Sequence, residues 1–167
     1  MIVANKRVLT ALAFSITLSA AAFADGSLAP VDQSFVAKVS QGGMFEVESS
    51  KVAAEKAQAQ DVKDLASAEV HDHELVGAKL KSITSAAGVD LPTALNADFK
   101  ARLDHLNTLS GKAFDDEYTS QMKRIHDIDG AAFAAEARAA KSADLKAFAA
   151  ETVLIVHRHI GALHPKA

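Results

Sequence analysis

The sequence predicts an all-α protein, an up-and-down bundle of four long helices plus one shorter helix. Alanine is abundant along the whole chain, and no stretch alternates apolar and polar residues as a half-buried strand would. After residue 24 the only prolines are Pro30, Pro92 and Pro165, so long segments are free of helix breakers. Short connections separate long amphipathic stretches, which makes successive helices antiparallel neighbours.

The chain opens on a leader rather than on the bundle. Lys6 and Arg7 form a positive start, "VLTALAFSITLSAAAF" an apolar run, and Ala22 and Ala24 an A-x-A cleavage site before Asp25. Residues 1–24 therefore read as a signal peptide, and 25–167 as a single domain exported to the periplasm or cell envelope. "SLAPVDQ" is a lead-in, with Asp32 expected to cap a first helix from Ser34 to Ala57. A second helix starts near Asp61 and stops at Gly88, where "AAGVDLP" places glycine past the end and proline soon after. Asn96 or Thr93 can cap a shorter third helix that ends at "LSGK". The fourth spans Phe114 to Ala139 and the fifth Ser142 to Leu163. No internal repeat stands out, and no segment after the leader is apolar enough to span a membrane.

Composition removes several function classes. Without Lys6 and Arg7 the chain keeps 16 basic against 21 acidic residues, a formal charge of −5. That balance, with no basic patch interleaved with aromatics, argues against nucleic acid as a partner. With no cysteine there is no disulfide, thiolate metal site, CxxCH haem attachment or cysteine nucleophile.

The chemistry sits on the inner stripes of the helices, traced at three- and four-residue steps. The second helix gives Val62, Leu65, Glu69, His73, Val76, Leu80 and Ile83. The fourth gives Phe114, Tyr118, Met122, His126, Asp129 and Phe133, and the fifth Leu145, Phe148, Thr152, Val156, His159 and Leu163. In the first, Glu46 shares a stripe with Phe35, Val39, Gly42 and Ala53. Four polar groups from four helices can thus converge. Burying them is costly unless they are paired or ligated, so they form either a hydrogen-bonded network or a metal site. Glu69 with His73, and His126 with Asp129, are the histidine–carboxylate pairs with chelating helical spacing. His71 and His157 each stand two residues from an inner histidine and diverge from it by about 200°, and with His105 and His164 they are expected to face solvent. Asp72 and Glu74 are placed on the exposed side of their helix.

Five segments also carry a resemblance: "FVAKVSQGGMFEVESSKVA", "HDHELVGAKL", "GVDLP", "LSGKAFDDEYTSQMKRIHD" and "LKAFAAETVLIVHRHI". In this order and spacing, from Phe35 to Ile160, they resemble the DUF4142 family of exported bacterial proteins. The resemblance implies a ferritin-like helical bundle with no assigned biochemical role. Matched by position, it implies functional weight at Glu46, with Glu48 a second acidic position, at Asp72 and His73, at His126 after Phe114, Asp115 and Tyr118, and at His159. Two departures stand out: Glu69 replaces an apolar residue one turn before His73, and "TVLIVHRH" lacks a proline common in the last helix. Ferritin chemistry does not follow, because di-iron bundles use Glu-x-x-His. Val70, Lys123 and Val156 stand where that glutamate would precede each inner histidine.

The functional expectation is a soluble, non-catalytic exported bundle whose Glu46, His73, His126 and His159 bind a transition metal, with Glu69 and Asp129 as secondary ligands. Imidazole suits zinc, copper, nickel or iron. The competing expectations are a structural or stress-related envelope protein with a hydrogen-bonded histidine core, and a metal-dependent hydrolytic enzyme. No nucleophile–base set or phosphate-cradling loop accompanies the histidines.

Overall fold

The computed structural model describes residues 27–163; the leader and its cleavage site, and His164, lie outside the described residues. Five helices follow in order: α1 (Pro30–Lys56), α2 (Gln60–Ala86), α3 (Ala97–Thr108), α4 (Gly111–Ala139) and α5 (Ala143–Leu163). The expected four long helices and one short one are all present, with ends displaced by a few residues. Proline explains the largest shift. Pro30 occupies the first turn of α1, where a missing N–H costs nothing, so the helix begins four residues before Ser34. α2 ends as its sequence suggested. Gly88 takes φ 68°, and Val89 N–H donates back to the Thr84 carbonyl at 2.8 Å. Asn96 caps α3, its side-chain oxygen accepting from Phe99 N–H at 2.9 Å.

α1 with α2, and α4 with α5, form two helical hairpins. They pack so that α1 lies on α4 and α2 on α5. Cross-helix contacts fix the directions. Phe35 meets Phe133 while Ser50 meets Tyr118, and Asp72 meets Arg158 while Lys79 meets Glu151. Every neighbouring pair of long helices is therefore antiparallel, and the diagonal pairs are parallel. To achieve this the chain must return along the bundle between α2 and α4, and α3 is that return. It runs beside α1, with Phe99 stacked on Phe45 at 5.0 Å. Gln41 clamps its start, donating to the Ala94 carbonyl at 3.1 Å and accepting from Asn96 N–H at 2.8 Å.

Asp32 was expected to cap its own helix, and the structure corrects this. It lies within the first turn of α1, buried, and accepts from Lys141 N–H at 3.1 Å and Ser142 N–H at 2.8 Å. It thus caps α5. Asp115 of α4 does the same for α2, accepting from Gln58 N–H at 3.0 Å and Ala59 N–H at 2.8 Å. The two aspartates are 83 positions apart. The same offset relates the helix-ending Ala57 to Ala140, Asp61 to Asp144, Val62 to Leu145 and Leu65 to Phe148. The two bends are thus closed by the same device, at matched positions of the two hairpins.

The apolar core comes in two blocks. One gathers Phe35, Val39, Leu80, Phe133, Leu145 and Phe148, and the other Phe45, Leu106, Phe114, Tyr118, Met122 and Ile125. Between them the inner stripes turn polar in every long helix.

Candidate metal centre

That polar layer contains Glu46 of α1, Glu69 and His73 of α2, His126 of α4 and His159 of α5. All are at most 4% exposed. The stripe positions converge as the helical spacing requires, and the three imidazole rings lie 5.2–5.8 Å apart, centre to centre.

Glu69 stands in the middle. Its Oε2 lies 3.1 Å from His73 Nε2 and 3.0 Å from His159 Nδ1, and its Oε1 lies 3.3 Å from His126 Nε2. None of these contacts has hydrogen-bond geometry, so both Glu69 oxygens and His73 Nε2 are buried without a partner among the described residues. His126 Nε2 and His159 Nδ1 are themselves 3.1 Å apart. Donor atoms of Glu69, His73, His126 and His159 all fall within 4.8 Å of one another.

The outward side of each ring is held by an acceptor. His126 Nδ1–H donates to the Met122 carbonyl one turn back, at 2.7 Å. His159 Nε2–H donates to Asp72 Oδ2 at 2.8 Å. His73 Nδ1 faces Glu46 Oε2 at 3.2 Å. An acceptor on one ring nitrogen places the proton there and leaves the other with its lone pair. Three inward nitrogens thus face one carboxylate, two of them hydrogen-bonded to each other, an arrangement that holds only with a proton or a cation between them.

The electrostatics agree. Burial opposes charge on Glu69, yet the surrounding imidazoles outweigh it and hold the carboxyl well below the usual carboxylate range. Burial likewise opposes charge on His126, but Glu69 and Glu46 push its pKa up to about 9. His73 is raised against its own burial by Glu46 and Glu69. Without a metal this layer retains protons. A divalent cation can take their place, matching the charges of Glu46 and Glu69.

The expected residues fall into place unequally. Glu69 lies nearer the centre than Glu46, whose second oxygen is 3.7 Å from His126 Nε2. Asp129 faces α1 rather than the imidazoles. A side chain at Gly42 would collide with its carboxylate, and burial together with the Glu46 charge pushes its pKa up to about 7. Glu48, Glu74, His71, His105 and His157 are exposed.

Asp72 is not on the exposed face where its position beside His73 had placed it. Its side chain is 15% exposed and also accepts from Arg158 at 2.6 Å. Burial works against its ionisation, but His159 and Arg158 bring its carboxyl below the ordinary value. The family resemblance marks this position, whereas helical periodicity puts it on the wrong face.

A family model described as "Domain of unknown function (DUF4142)" matches residues 17–164. No curated protein and no solved structure matches the chain.

Proposed function

We propose that the chain, which belongs to the DUF4142 family, is an exported protein that holds one transition-metal ion in its core through His73, His126, His159 and Glu69. The observation that carries the reading is the convergence of three inward imidazole nitrogens on one buried, partnerless carboxylate. Metal-ligating histidines characteristically donate their other N–H to a carboxylate or carbonyl, and Glu46, Met122 and Asp72 occupy those positions. Three nitrogens and one oxygen suit zinc in a tetrahedral shell, with copper, nickel and iron as competitors. Four protein ligands leave no open position, which favours a non-catalytic role over a hydrolytic one. Export rests on the charged, apolar and A-x-A order of residues 1–24.

The test is elemental analysis of untagged protein, followed by thermal melts with chelator and with added zinc or copper. A bound ion stabilises by mass action, so melting should rise with ion concentration and fall with chelator. His126→Ala should abolish that response, whereas the exposed His157→Ala should leave it intact. A wild-type melting point indifferent to chelator and to every added ion would leave only the proton-held core. His126→Ala should then cost about 1–3 kcal/mol whatever ion is added.

A further inference from the structure

Four glycines lie well inside long helices, Gly42 and Gly43 in α1, Gly77 in α2 and Gly130 in α4. Glycine is among the poorest helix formers, so such a position needs a reason. Close helix packing is the usual one, and it holds at Gly42, where a Cβ would strike Asp129, and at Gly130, where it would press on Val156. It does not hold at Gly43 or Gly77, because nothing among the described residues lies within 4 Å of where a Cβ would stand.

What both glycines do is line the same cleft between α1 and α2, with a volume of about 350 Å³. Its walls include Val39, Val76, Leu80, Phe133 and Phe148, from four helices. The depth of the cleft carries no free polar anchor. Among the described residues the one titratable group there is His73, and its ring nitrogens are turned to Glu46 and Glu69. At the rim Lys51 and Glu74 neutralise each other in a 2.7 Å ion pair, and Glu48 adds a negative charge that disfavours anions. The volume falls at the small end of ligand pockets, which run to roughly 300–1,000 Å³.

We propose that this cleft is a binding site for a neutral, predominantly apolar small molecule, and that Gly43 and Gly77 keep it open. The cleft shares His73 with the metal layer, but the proposal does not depend on a metal being bound.

Titration with the neutral fluorophore N-phenyl-1-naphthylamine, beside its sulfonated relative anilinonaphthalene sulfonate, tests this. Wild type should bind the neutral probe saturably, one to one, and at least tenfold tighter than the sulfonate. Gly43→Leu and Gly77→Leu each place a side chain into the cleft and should weaken binding at least tenfold, while their melting temperatures hold or rise. Gly161→Ala, at an open position outside the cleft, should bind as wild type does. Non-saturating binding, a preference for the sulfonate, or unchanged affinity in both leucine variants would overturn the proposal.

Discussion

Asp72 shows how much a single side chain reveals only in three dimensions. Its distance of one position from His73 turns it toward α5, where it holds the outer nitrogen of His159. Residues in that role set the tautomer and basicity of a ligand, and their loss typically lowers metal affinity by about 10–100-fold. Asp72→Asn should therefore weaken metal binding by that order while the bundle still folds, as metal titration followed by circular dichroism would show. Glu136 offers a second, metal-independent case. It is buried with one oxygen unpartnered, and burial together with Asp32 raises its pKa above the ordinary 4.5. A raised carboxyl contributes stability while protonated and loses it as pH rises through the folded value. Glu136→Gln should thus raise stability near neutral pH, by about 1 kcal/mol, with a gain that disappears below the ordinary carboxylate range. Melting temperatures across pH 3–8 would check the sign. His73, His126, His159 and Glu69 could be read from the sequence because helical periodicity assigns a face to each residue. Asp72 could not be placed that way, because its face depends on where the neighbouring helix lies; only the family resemblance points to its position.

At the scale of the helices, propensity and punctuation found all five, and the misread ends have local causes. Pro30 is as suitable in a first turn as before it, and Asp32 has the chemistry of a cap wherever it stands. The helix it caps lies more than a hundred residues away, which no local pattern encodes. Each of Asp32 and Asp115 satisfies two backbone N–H groups at the entry to a helix of the opposite hairpin. Losing such a cap typically costs about 0.5–2 kcal/mol, and the upper half of that range applies where two donors are orphaned. Asp32→Ala and Asp115→Ala should each fall there. The two sites sit at opposite ends of the bundle, so the double variant should cost the sum within about 0.5 kcal/mol. Urea unfolding of the three proteins would measure it.

For the molecule as a whole, the all-helical bundle was legible because its helices are long, alanine-rich and separated by clear stops. The route of α3 beside α1 was not, since its placement rests on side-chain clamps such as Gln41 and on the packing of Phe99 over Phe45. The reciprocal caps also carry a kinetic consequence. Each hairpin closes from local contacts, yet neither can complete its own bend, because the carboxylate that finishes it belongs to the other. Asp32 and Ser142 are 110 positions apart, and so long a loop closes only after much of the chain has condensed. The clip at α5 should therefore form after the folding barrier. Asp32→Ala should speed unfolding while leaving the refolding rate nearly unchanged, as stopped-flow chevrons would record. The clip then acts less as a builder of the native state than as its latch, setting how long a folded molecule lasts rather than how soon it appears.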